Sequence, residues 1–424
     1  MSSLSERICP LHFLTALLFC FISLSLQAEY IYVVNSESRT LSRIDPSTDV
    51  VQNNFAALGL IPNKIIVDEN YLWSVNSGDN SLQKLDKQTG STLANILIAS
   101  GCNPWDACKE GNFIYVTGLF TDKVYKVNAI TQAVEGSVNV GISPEALCTF
   151  GGKLYVTNTG GYQNNYANSS VSVIDLATFT VVNTIPVAPN PQYITLSEGL
   201  LHVSCTGNWA SANGAVCIID PASEEVIGTV EPGGNLGNVW IGTNQNALVG
   251  DANGVQLYRY DAHNFSLLNG SSNPLPYGGS LVTGTADWTA TLYPNWGSNG
   301  KVRILHPDLS FWKEYTIGLA PTDLKTEHGN TYSSEDTYPV IQKSEVYPNP
   351  ARSNDLLTFT FNTKTSGKLH LYNLRGRLLL SIPISKGKAI LPAQQIANKY
   401  GAGCYLYRIE NESARQTGKF ILLP

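Results

Sequence analysis

The stretch Tyr155-Val156-Thr157-Asn158, with Ser172-Val173-Ile174-Asp175 after it, decides how this chain folds, because it is one copy of a pattern written along most of the sequence. Short β-branched and aromatic runs separated by Gly, Asn and Tyr read as neighbouring antiparallel strands. The first strand returns as Tyr32-Val33-Val34-Asn35, Trp73-Ser74-Val75-Asn76, Tyr115-Val116-Thr117-Gly118 and His202-Val203-Ser204-Cys205. The second ends near an acidic or polar residue each time: Asp45, Asp86, Asn128, Asp175, Asp220, Asp261 and His306, spaced 41 to 47 residues apart. A third mark precedes each aromatic strand at Pro62, Pro104, Pro144 and Pro191, weakens to Leu236 and the neighbourhood of Ser280, and returns at Pro321.

A period of this length with several strands per unit predicts a β-propeller of four-stranded blades. The ends predict how the ring closes. The first repeat begins at Tyr30 with no proline-led strand before it, whereas Ala320-Pro321-Thr322-Asp323-Leu324-Lys325 has no aromatic strand after it. Pairing 320–329 with 30–57 leaves no exposed sheet edge and predicts seven blades over residues 29–329.

Composition agrees with an all-β chain. Of 424 residues 43% are hydrophobic, enough for real cores, while Gly (36) and Tyr (21) are abundant and the initiator is the one Met. The formal charge of −6, with no Lys/Arg stripe, argues against a nucleic-acid partner. Residues 1–28 place Arg7 ahead of an apolar run from Leu11 to Leu26 and end on Ala28, which predicts a cleaved signal peptide and no membrane span after cleavage. Export puts the remaining cysteines in an oxidising compartment. Cys205 and Cys217 are the leading disulfide candidate, since the loop between them joins adjacent antiparallel strands; Cys102 with Cys108 is a second.

The Tyr155-Val156-Thr157-Asn158 unit resembles the YVTN family of β-propeller repeats, which implies the scaffold and little about its use. After a polar stretch from Thr326 to Lys343 the sequence changes character, and residues 330–345 are assigned as a linker. The segment 346–424 carries Tyr347-Pro348-Asn349-Pro350, Leu371-Tyr372-Asn373-Leu374-Arg375-Gly376, Gly403-Cys404-Tyr405-Leu406-Tyr407 and Lys419-Phe420-Ile421. These pieces resemble the C-terminal sorting domain (type A) of the type IX secretion system of the Bacteroidetes. Short strands at Leu357–Thr363, Lys368–Leu374, Arg377–Ile384 and Tyr405–Glu410 predict a small immunoglobulin-like β-sandwich. The resemblance implies the type IX machinery as a partner and a protein secreted or attached to the outer-membrane surface.

Strands in a blade run antiparallel, so the loop into the inner strand and the loop between second and third strands share one face. The first set offers Asn63, Trp105, Asp106, Glu145, Gln192, Tyr193, Asn238, Thr322 and Asp323. The second offers insertions at 159–170 with Tyr162 and Tyr166, at 206–214 with Trp209, and at 293–300 with Trp296. Aromatic rings and amides on long loops suit recognition. The usual catalytic constellations are missing: His202, His263, His306 and His328 are scattered, and no nucleophile elbow, phosphate loop or HExxH is present. The repeated Asp residues read as turn caps.

The leading expectation is therefore a monomeric, non-enzymatic binding or adhesion module for a glycan, peptide or corrinoid, with no cofactor and no resident metal. Two alternatives stand beside it. One is a lyase or lactonase with a divalent metal held by Glu145, Asp106 and Asn238; the other is a structural envelope or matrix component.

Overall fold

The computed structural model describes residues 29–242, 245–295, 297–327, 345–360, 367–373, 378–384, 388–410 and 415–423. The expected signal-peptide segment 1–28, linker residues 330–344, Trp296 and Gly376 lie outside them.

Within 29–327 the described strands form seven four-stranded antiparallel sheets. Six use consecutive strands. The seventh joins both ends of this region: Pro321–Thr326 pairs with Ile31–Asn35, Leu324 opposite Val33, and Thr40–Asp45 and Val50–Ala57 complete the sheet. The first strands of the sheets, Pro62–Val67, Pro104–Glu110, Pro144–Phe150, Pro191–Ser197, Leu236–Ile241, Leu281–Gly284 and Pro321–Thr326, lie side by side in that order, and the last returns to the first.

Burial explains why the strands read as they do. Each second strand is covered on both faces by neighbouring sheets, so Ile31–Asn35 is buried throughout and reads as a nearly continuous apolar run. Outermost strands meet solvent on one face, and Ala133–Asn139 alternates exposed and half-buried residues accordingly. The core is thus divided among inter-sheet layers, such as Trp73, Val75, Ile114 and Val116, or Tyr155, Val173, Leu201 and Val203.

The repeated polar residues cap turns, as their spacing implies. Asp45 Oδ1 accepts the Ser47 and Thr48 backbone N–H groups at 2.9 and 3.3 Å, and Asp86, Asn128 and Asp261 each do the same in their own repeats. The prolines mark a second device. Each follows a residue with left-handed backbone, Ile61, Asn103, Ser143, Asn190 or Ala320. The carbonyls of those five accept N–H groups from Ser77, Leu119, Thr159, Thr206 and Ser36, tying each sheet's entry loop to the end of its second strand.

The C-terminal residues form a three-stranded sheet (Glu345–Tyr347, Leu356–Thr360, Lys388–Pro392) and a four-stranded one (Leu378–Ile384, Gly367–Tyr372, Gly403–Glu410, Arg415–Leu422). Leu357, Phe359, Leu369, Tyr407 and Phe420 fill the core they share. The strands at 345, 388 and 415 and the helix Ala393–Tyr400 go beyond the sequence expectation.

Candidate functional site

Lys64, Asp106, Tyr193, Asn238 and Asp323 each stand two residues after the residue that opens a first strand. That shared position brings several of them together. Lys64 Nζ lies 3.7 Å from Asp323 Oδ1, both side chains nearly buried, and 4.9 Å from the centre of the Tyr193 ring. Asp323 Oδ2 also accepts the Ile65 backbone N–H at 2.9 Å, which clasps two adjacent sheets. Asn238 repeats this clasp elsewhere in the ring: its Oδ1 accepts the Val282 N–H at 2.7 Å and its Nδ2 donates to the Val282 carbonyl at 2.9 Å. Both ends of the Asn238 amide are engaged there.

Glu145 is 7% exposed and accepts a 3.4 Å hydrogen bond from Gln192 Nε2, while Gln192 Oε1 accepts one from Thr206 Oγ1 at 2.7 Å. Burial pushes the Glu145 carboxyl up to about 8; Gln192, Lys64 and Trp105 oppose the rise, and the Asp106 charge adds to it. That rise favours the neutral carboxyl near neutral pH. Burial also raises Asp106 and Tyr193. Lys64 is raised as well: burial alone would lower it, but Asp323 and the other acidic groups around it prevail. Among the described residues no three His, Cys, Asp or Glu side chains form a group that could hold a metal ion.

Two long loops, 159–169 and 206–214, form an aromatic lip. Tyr162 is 77% and Trp209 48% exposed, and the Tyr162 and Tyr166 rings meet edge-on at 6.1 Å. The loops are cross-linked, since Asn208 Nδ2 donates to Asn165 Oδ1 at 3.3 Å. Tyr166 and Trp209 hold φ of 57° and 60°, the left-handed backbone that recurs at the turns of this chain. The turn that presents them needs glycine at 160, where φ is 82° and a Cβ would stand 2.3 Å from the Ala167 carbonyl oxygen. Burial raises the Tyr166 hydroxyl, and the lip is tied to the floor through Thr206, whose hydroxyl donates to Gln192, which in turn donates to Glu145.

Trp105, Asp106, Glu145, Gln192, Tyr193, Tyr166 and Trp209 are thus linked by contact or charge, with Tyr162 beside them. Lys64, Asn165, Thr206 and Asn208 belong to the same network and were not among the expected site residues. Lys64 did leave a signal, a cation inside an apolar strand at the same place as Asp106 in the next repeat.

Cys205 and Cys217 are thiols in this structure. The register sets Cys205 opposite Ala215 and Cys217 opposite Val203, so the two stand diagonally; Cys205 donates to the Val203 carbonyl and Cys217 accepts the Ala188 N–H. Burial raises Cys205, and the neighbouring Cys205 thiol lowers Cys217. Cys102 is buried against Val75 and Val116, whereas Cys108 lies within its first strand, opposite Tyr115.

In the C-terminal region Tyr347 is 78% exposed and Pro348 and Pro350 flank Asn349. Asn349 accepts the Ile421 N–H at 3.0 Å and donates to the Lys419 carbonyl at 3.3 Å, pinning the motif to the last strand. Gly403 opens a strand in which Tyr405 stacks on Phe420 at 5.4 Å and donates to the Gly401 carbonyl. A family model described as the secretion system C-terminal sorting domain matches residues 345–423. This segment is a type IX sorting domain. The sorting domain makes the chain a client of the type IX machinery and a secreted or cell-surface protein.

No curated protein sequence matches the chain. Among solved structures it resembles hydrazine synthase of Kuenenia stuttgartiensis (18% identity, 62% of this chain and 88% of that one, TM-score 0.46). It also resembles the dihydro-heme d1 dehydrogenase NirN in complex with DHE (11% identity, 70% and 75%, TM-score 0.51). The second likeness carries the fold alone, which is propeller-like. No helix among the described residues is long and apolar enough to cross a membrane.

Proposed function

We propose that residues 29–329 are a seven-bladed β-propeller which, joined to an immunoglobulin-like sorting domain at 346–424, works outside the cell as a non-enzymatic binding module for an uncharged glycan. One observation carries this reading: Tyr162, Tyr166 and Trp209 sit on two cross-linked loops that Thr206 and Gln192 tie by hydrogen bonds to the buried Glu145, whose carboxyl is pushed up to about 8 by burial. Aromatic faces cover the C–H face of a pyranose, and a neutral carboxyl with the Gln192 amide supplies both donors and acceptors for hydroxyls. Lys64, the buried cation of the floor, is already paired with Asp323.

Binding of the exported full-length protein to neutral, acidic and basic glycan arrays, with peptide and corrinoid panels alongside, tests the proposal. Neutral glycans should be retained, and Tyr162→Ala and Trp209→Ala should each weaken them about tenfold, in line with ~1.4 kcal/mol for a stacked ring. Retention of peptides or corrinoids alone, or variants that bind like the parent, would overturn the glycan assignment.

A further inference from the structure

At the opposite end of the sheets, away from the aromatic lip, residues from 197–200, 241–242 with Gln245, 262–265 and 284–286 of three consecutive sheets line a cavity of about 670 Å3. That is the size of a small-molecule site. Leu200, Trp240 and Phe265 supply apolar wall, and Glu198 with Gln245, joined by a 2.9 Å hydrogen bond, supplies a polar rim. No Lys or Arg lines it among the described residues.

His202 decides what the cavity can hold. The ring is 2% exposed and forms part of the wall, with Nδ1 lying 2.7 Å from Tyr260 Oη. Tyr260 is fully buried, and its hydroxyl has no other hydrogen-bond partner among the described residues. If Nδ1 carried the proton, the phenol hydrogen would be buried with no acceptor, at a cost of about 1–3 kcal/mol. Tyr260 therefore donates to Nδ1, and the proton of the neutral imidazole sits on Nε2. That Nε2–H has no protein partner among the described residues, and His202 is one of the residues that line the cavity. Burial lowers His202 to about 4, so the ring stays neutral near pH 7. Trp240 lines the same cavity, and Gly284 leaves room for it: a Cβ at Gly284 would stand 3.0 Å from Cζ2 of the indole.

We propose that this cavity is a second binding site, for a flat, uncharged ligand whose carbonyl oxygen accepts His202 Nε2–H while its ring packs on Trp240 and Phe265. The Glu198 carboxylate at the rim disfavours anions. This site is independent of the aromatic lip, and either can fail without the other.

Nitrogen-15 NMR of histidine in the full-length protein, with benzamide and benzoate as probes, provides the test. The free protein should show His202 as the Nε2–H tautomer. Benzamide should shift the Nε2 resonance and quench tryptophan fluorescence, and benzoate should bind at least tenfold more weakly. His202→Phe should abolish benzamide binding, and Tyr260→Phe should mix the tautomers and weaken binding several-fold. An Nδ1–H tautomer, equal binding of the two probes, or benzamide binding that leaves Nε2 unmoved would each overturn the proposal. The wild-type readings decide the matter even if a variant does not fold.

Discussion

Glu145 shows how the fold changes the chemistry of one residue. Its carboxyl faces Trp105, Asp106, Gln192, Lys64 and Tyr166, and burial carries it from 4.5 to about 8. Between those values the unfolded chain is ionised at this position and the folded chain is protonated, so the folded state binds more protons. Stability therefore falls as pH rises from 4.5 to 8 and levels off above it. Glu145→Gln keeps the shape and removes the titration, so its advantage over the parent should grow by roughly 2–5 kcal/mol across that window. Urea unfolding of both proteins at about pH 5 and about pH 8.5 measures this, and parallel pH dependence would mean the carboxyl is not held neutral. The sequence placed Glu145 and Trp105 at the ring mouth because each directly follows a proline that opens a first strand. It did not place Lys64, whose neighbours Ile65 and Ile66 read as plain core and whose partner Asp323 comes from the far end of the region.

At the scale of elements, closure depends on the pairing of Pro321–Thr326 with Ile31–Asn35, and Asp323 fastens that sheet to the next one. Removing its carboxylate strands a buried Lys64 and an unsatisfied Ile65 N–H. Asp323→Ala is expected to cost about 3–5 kcal/mol, the usual penalty for breaking a buried pair from one side. Asp323→Asn should cost less, because Asn238 already makes the same kind of clasp to Val282 with an amide. Denaturant unfolding ranks the three proteins, and equal losses for Ala and Asn would show that the backbone bond contributes nothing. The repeat was readable because the devices that build it are local: a carboxylate capping its own turn at Asp45, or a proline opening a strand at Pro62. The cavity at the other end was not. His202 reads as one more aromatic-strand residue, and its partner Tyr260 comes from a different repeat. The helix Ala393–Tyr400 also escaped notice, being only two turns long and entered from Pro392 without a side-chain cap.

For the whole molecule the question is whether the sorting domain is separable from the part it exports. Its core of Leu357, Phe359, Leu369, Leu371, Tyr405, Tyr407 and Phe420 contains no described residue from 29–327, and the inter-sheet clusters of that region contain none from the sorting domain. Removing 346–424 therefore takes away one complete hydrophobic core and leaves the others whole. The ring also retains Pro321–Thr326, so no sheet edge is opened by the truncation. The shortened protein should fold with an unchanged unfolding midpoint for its main transition, yet accumulate in the periplasm, because what it lost is the address and not the stability. Fractionation with surface proteolysis gives the location, and thermal unfolding of the periplasmic material shows whether it is folded. Normal surface display of the truncated chain would overturn the role of the tail in export, whereas an unfolded periplasmic product would show that the two regions depend on each other for stability.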